Sequence, residues 1–157
     1  MEARLDIRDV PPGIMKTMMG FEAYLSGCGL PRELVDLLCV RVSQINGCAY
    51  CIDMHIKDLR AHGETEQCLY LLNAWRESPF YSERERAALA WAEAVTRLTE
   101  GEVPDEVYEQ AREQFSKEEL ANLTLATVAI NSWNRFNIAF RTVPGSPATR
   151  QKVTANA

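Results

Sequence analysis

The chain has 157 residues, 46% of them hydrophobic and 25% charged, which is the size and composition of one globular domain with one core. A formal net charge of −5, with no concentrated run of lysine and arginine, excludes binding of a nucleic-acid backbone as the main activity. The first residues, Met1 to Asp6, lack the apolar stretch of a secretory signal, and no segment reaches the roughly 20 apolar residues of a membrane span, so a cytoplasmic, reducing setting is expected.

Apolar residues recur at helical spacing and strictly alternating β-branched runs are missing, so the spacing predicts an all-α bundle of six to seven helices. A first helix is expected from about Gly13 to Ser26, ended by Gly27-Cys28-Gly29. Pro31 suits the first turn of a second helix, which turns Leu34, Leu37, Leu38, Val42 and Ile45 inward and stops at Asn46-Gly47, where a left-handed cap is natural. A third helix follows at once, with Cys48 and Cys51 in its first turn, and ends near Gly63. Thr65 caps a fourth that runs through Arg76 to the break at Ser78-Pro79. Ser82 with Glu85 forms a capping box for a fifth, to about Leu98, and a short sixth follows Pro104. Ser116 with Glu119 opens a long seventh through Leu120, Leu123, Val128, Ile130, Trp133, Phe136 and Phe140. That helix is apolar over much of its circumference, which places it centrally in the core or at a subunit interface, with Trp133 and Phe136 as core residues. The segment from Thr142 to Pro147 cannot continue it, so the chain divides into a helical domain over 1–141 and an extended tail over 142–157.

The chemistry is concentrated in the cysteines. Cys39 and Cys68 lie in apolar runs and read as small buried residues, whereas Cys28 sits between glycines in a turn. Cys48 and Cys51 form a Cys-x-x-Cys pair at a helix start, where unpaired amides and the positive end of the helix dipole stabilise a thiolate. His55, one turn beyond Cys51, supplies a candidate base. Cys48, Cys51, His55 and His62 could be read as zinc ligands, but on one helix Cys48 and His62 are about 21 Å apart. A smaller metal site completed by Asp36 or water is the remaining form of that idea, and the expectation is no metal and no cofactor. A thioredoxin-like arrangement is disfavoured because a helix, not a strand, precedes the pair.

The run Arg41-Val42-Ser43-Gln44-Ile45-Asn46-Gly47-Cys48-Ala49-Tyr50-Cys51-Ile52-Asp53-Met54-His55 resembles the alkylhydroperoxidase D-like (AhpD-like) branch of the carboxymuconolactone decarboxylase family. The likeness continues through Tyr70 to Arg76 and Asn131 to Asn137. It implies an all-helical fold, assembly into homo-oligomers such as trimers or hexamers, and a peroxidase-type dithiol cycle. The family motif maps onto Asp36, Cys48, Cys51 and His55. Its acid is usually glutamate, so the shorter Asp36 is expected to need a water or a closer helix crossing to reach His55. Tyr50 stands where the best-known peroxidase branch resembles this motif with a second histidine. Tyrosine is a poor base at neutral pH, so proton handling is expected to differ.

The cycle so implied has Asp36 orienting His55, His55 drawing the proton from Cys51 directly or through water, and Cys51 attacking a hydroperoxide; Cys48, nearer the helix start and so a candidate for the more exposed, more acidic thiol, is the alternative attacker. Cys48 then closes a disulfide, which an external lipoyl-bearing or thioredoxin-like dithiol must reduce. Two other readings remain open at this point: a redox-responsive oligomer without turnover, and the decarboxylase chemistry of the wider family, which does not rest on a dithiol.

Overall fold

The chain is organised around α2 (Arg32–Asn46), whose residues from Leu34 to Ser43 are buried without a break. A helix buried on all sides must be apolar on all sides or have its polar groups paired, and α2 does both. Leu34, Leu38 and Val42 pack with Ala88 and Ala92 of α5 (Glu83–Thr96) and with Leu120, Leu123 and Ile130 of α7 (Lys117–Phe140). On the opposite side, Leu37 and Val40 meet Leu59 of α3 (Ala49–Ala61) together with Leu69, Leu72, Trp75 and Leu89. Each fully buried leucine contributes roughly 1.5–3 kcal/mol, so this two-sided packing anchors α2 and with it the site that α2 carries. The structure, a computed structural model, describes residues 2–145; residues 146–157 of the expected tail lie outside the described residues.

All seven expected helices form, and the domain is all-α. The remaining three are α1 (Pro12–Leu25), lying on α7, α4 (Glu66–Leu71), and α6 (Asp105–Gln114), which covers α5. Both capping boxes are present: Ser82 with Glu85 opens α5, and Ser116 with Glu119 opens α7. No buried side-chain nitrogen or oxygen among the described residues is left without a partner.

Two features differ from the sequence expectation. The fourth helix was expected to run through Arg76, but α4 ends at Leu71 and continues as a 3-10 segment, Leu72–Glu77, with Ala74 at φ −115°, ψ 30°. The cause is a buried carboxylate on the neighbouring helix. Glu93 accepts a hydrogen bond from Trp75 Nε1 (2.9 Å) and pairs with Arg41 (2.6 Å) and Arg76 (2.7 Å), while Arg41 also donates to Asn73 (2.7 Å). Drawing Asn73, Trp75 and Arg76 onto these partners tightens the last turn. Trp133 and Phe136, expected in the core, are only half-buried; Trp133 Nε1 donates to Glu22 of α1 (3.0 Å) and its ring packs edge-on to Phe136.

Candidate active site

The site is set by the junction of α2 and α3. Gly47 takes the left-handed conformation (φ 73°) that ends α2, and the Cys48 amide closes back onto the Ser43 carbonyl at 2.9 Å. This sharp turn leaves Cys48 at the N-cap of α3 and Cys51 in its first turn, and lays α3 back against α2. His55 is thereby brought opposite Asp36. His55 Nδ1 and Asp36 Oδ1 are 2.9 Å apart, and Arg32 Nε donates to Asp36 Oδ2, also at 2.9 Å. The shorter acid therefore reaches the histidine directly, through the closer helix crossing, with no intervening water required.

Asp36 is wholly buried and His55 is 7% exposed. Burial works against the Asp36 carboxylate, but hydrogen bonds from His55 and Arg32 outweigh it and hold its pKa below the ordinary carboxylate range. Burial likewise works against the His55 charge; the Cys39 thiol beside it and the Asp36 carboxylate outweigh that and push the imidazole up to about 10. Near neutral pH the pair is thus an imidazolium held by a carboxylate, with Nδ1–H donating to Asp36 and Nε2–H left for other partners.

The two thiols divide in the same way. Cys48 and Cys51 are free cysteines, both buried, with their sulfurs 2.8 Å apart. The hydrogen bond from the Cys51 thiol, with the first-turn amides of α3 and the Asn134 side chain, overcomes burial and lowers Cys48 to about 7. Cys51 moves the other way, because it is the donor to Cys48 and is itself desolvated. The first thiolate of the pair is on Cys48.

Access separates the thiols further. A cavity of about 360 Å³ opens against Cys51, His55, Asp36 and Cys39, while Cys48 is set back from it. Its other walls are mostly apolar, among them Met15, Met19, Val35, Ile130 and Trp133. The structure thus brings together all four residues named from the sequence, and it gives Cys39, read there as inert packing, a place on the cavity wall. Tyr50 also lines the cavity. His62 does not join the cluster; it is exposed and bonds through Nδ1 to the Asp58 carbonyl of its own helix.

One group could be considered for a cation. Ligand atoms of Asp36, His55 and Asp58 lie within 4.8 Å of one another, but both Asp36 oxygens are engaged by Arg32 and His55, so a cation would have to displace that ion pair. The donor set fits proton transfer better than metal binding. Sequence reasoning also missed Asn134 and Asn137 of α7: Asn137 lines the cavity with Nδ2 3.5 Å from Cys51 Sγ, and the fully buried Asn134 donates to Ser43 Oγ at 2.9 Å. The signal was the Asn131, Asn134, Asn137 spacing, which puts three amides on one face of the helix.

The profile of the carboxymuconolactone decarboxylase family matches residues 12–94, and the chain belongs to that family. It is 45% identical over 139 residues to the uncharacterised protein YdfG of Bacillus subtilis, covering 88% of this chain and 95% of YdfG. Among solved structures it is similar to a protein of unknown function from Agrobacterium tumefaciens, suggested there to be the antioxidant defence protein AhpD. That match has 41% identity and a TM-score of 0.89, over 92% of this chain and 99% of the other. An AhpD-core, peroxidase-related protein of Ralstonia eutropha shares the fold at 22% identity and a TM-score of 0.75, over 86% and 72% of the two chains.

Proposed function

We propose that this member of the carboxymuconolactone decarboxylase family is a thiol-dependent peroxidase that reduces organic hydroperoxides through the Cys48/Cys51 dithiol. One observation carries the reading: Cys51 faces an apolar-walled cavity that also presents a buried Asp36–His55 ion pair. A hydroperoxide with a carbon body fills the apolar part, and its O–O group meets sulfur at the polar end.

The steps follow from the proton inventory. In the resting pair Cys48 carries the thiolate and Cys51 the proton; transfer across the 2.8 Å contact makes Cys51 the nucleophile and Cys48 the thiol. Cys51 sulfur attacks the terminal peroxide oxygen, the O–O bond breaks, and the product is a Cys51 sulfenic acid plus an alkoxide. The alkoxide takes a proton from the His55 imidazolium and leaves as the alcohol. His55 so acts first as a fixed positive charge and proton donor, then takes the proton Cys48 gives up and passes it to the hydroxide that leaves Cys51; its own charge returns with the protons that the external dithiol brings. Cys48, with its low pKa, then attacks the Cys51 sulfenic sulfur, forming the disulfide and releasing water. An external dithiol, lipoyl-bearing or thioredoxin-like, reduces the disulfide by exchange, so the sum is hydroperoxide plus dithiol to alcohol, water and disulfide. No bound cofactor is used.

Assembly is part of the same proposal. Helix α1 has no buried residue, exposes Ile14, Met19 and Tyr24, and contributes Met15 and Met19 to the cavity wall. A homo-oligomer that covers α1 would complete the cavity's outer side. The test is sustained consumption of cumene hydroperoxide with dihydrolipoamide or reduced thioredoxin as donor. Turnover that vanishes in both Cys48→Ser and Cys51→Ser supports the peroxidase. A single stoichiometric oxidation with a change in oligomer size would instead identify a redox-responsive assembly, and activity surviving loss of both thiols would point to decarboxylase-type chemistry.

A further inference from the structure

Behind the dithiol, α7 presents a ladder of buried amides whose orientation is fixed by its own hydrogen bonds. Asn46 Nδ2 donates to Asn134 Oδ1 (2.8 Å) and to Asn131 Oδ1 (3.0 Å), which commits both oxygens. The Asn134 amino group must then point the other way, toward Ser43 Oγ (2.9 Å). Asn137 spends one of its two amide hydrogens on the Trp133 carbonyl (3.0 Å) and turns the other to Cys51 Sγ (3.5 Å). Asn134 is fully buried and Asn137 is 6% exposed, so neither is free to reorient toward solvent.

We infer that the α7 amides form a pre-set cradle at the dithiol in which Asn137 is the N–H donor to an anionic Cys51 sulfur. A fixed amide hydrogen is worth far more to a thiolate than to a neutral thiol, because only the anion gains a charge-assisted bond. Cys51 needs this help. Its proton must leave for Cys48 before attack, and burial and the adjacent Cys48 charge both oppose a thiolate there. His55 of α3 and Asn137 of α7 both line the cavity that Cys51 faces, so donors from two helices flank the site of the anion. Asn137 touches a reacting atom and is a catalytic residue. The catalytic part of this inference rests on the peroxidase reading, while the effect on thiol acidity does not.

The test isolates each thiol and measures its alkylation by iodoacetamide against pH. In the Cys48→Ser protein only Cys51 of the pair remains. His55, Asp36, Arg32 and Cys39 around it from α3 and α2 are unchanged, and peptide mapping separates Cys51 from the other cysteines. Asn137→Leu, which removes the donor at similar volume, is expected to raise the Cys51 midpoint by about one unit and slow its alkylation near pH 7 about tenfold. Asn137→Ser, which keeps a donor, is expected to fall between Leu and Asn. In the Cys51→Ser protein, Asn137→Leu is expected to leave Cys48 unchanged. The inference is overturned if Asn137→Leu and Asn137→Ser both leave the Cys51 profile unmoved, or if Asn137→Leu moves Cys48 as much as Cys51. Alkylation needs no peroxide turnover, so these shifts in a protein that consumes no hydroperoxide would refute the peroxidase and leave the cradle standing.

Discussion

Replacing Asp36 with alanine tests the buried ion pair on which the site is built. Asp36 is wholly buried and accepts from His55 Nδ1 and Arg32 Nε, each at 2.9 Å. Removing one member of a buried pair costs about 3–5 kcal/mol, because the charge left behind has lost its partner. Arg32 is half exposed at its side chain and can turn to water, whereas His55 cannot, so the lower end, about 3 kcal/mol, is expected. For a chain of this length that is a fall in Tm of about 6–12 °C.

The pH dependence carries the sharper signature. His55 is pushed up to about 10 in the folded protein, against about 6.5 when unfolded, so the stability it contributes is complete below pH 6.5 and is lost as pH rises through 10. Asp36 is held low, so its contribution is present above the ordinary carboxylate range and disappears as pH falls through and below it. Urea unfolding of the wild type and Asp36→Ala across pH 4 to 10 should therefore show the largest gap near pH 6 and a shrinking gap toward pH 10. A gap that is absent near pH 6, or constant from pH 6 to 10, would refute the ion-pair assignment.

Three further outcomes follow. Trp133→Ala enlarges the apolar cavity wall away from sulfur, so KM for cumene hydroperoxide should rise several-fold with hydrogen peroxide turnover little changed; equal effects on both would contradict an apolar binding site. Glu93→Ala leaves Arg41 and Trp75 without their buried acceptor and should cost about 3 kcal/mol or more by chemical denaturation, far from the cavity and without changing the pH dependence of thiol alkylation. Gly47→Ala forces a Cβ into the left-handed region at the α2–α3 turn and should cost about 1–2 kcal/mol in the same assay; an unchanged midpoint would mean that the turn is not fixed as described.

Features encoded locally were legible in the sequence. The Ser82/Glu85 and Ser116/Glu119 boxes, the Asn46-Gly47 stop and the Cys-x-x-Cys start depend on residues within one or two turns, and each appears where its spacing put it. Asp36 was reached through the family resemblance, since nothing local ties it to His55, nineteen residues away. What was not legible depends on tertiary neighbours. The 3-10 segment after Leu71 is shaped by Glu93 from α5, and Trp133 is drawn toward Glu22 of α1 rather than into the core. Its place nearer the helix start made Cys48 a candidate for the more acidic thiol, in line with the direction of its shift, but the opposite shift of Cys51 depends on burial and the Cys48 contact. Sequence reasoning made His55 the base for Cys51; the coordinates add that His55 is held by Asp36 and that Cys48 lies 2.8 Å from Cys51, a second acceptor for its proton.

The central claim is that Cys51 attacks the peroxide and Cys48 resolves the product. Cys48→Ser and Cys51→Ser proteins, each mixed rapidly with one equivalent of cumene hydroperoxide and trapped with a sulfenic-acid reagent, test it by peptide mass mapping. The account predicts a Cys51 adduct forming within seconds in Cys48→Ser and no comparable Cys48 adduct in Cys51→Ser. A fast adduct on Cys48 with none on Cys51, or no adduct in either protein, would contradict it.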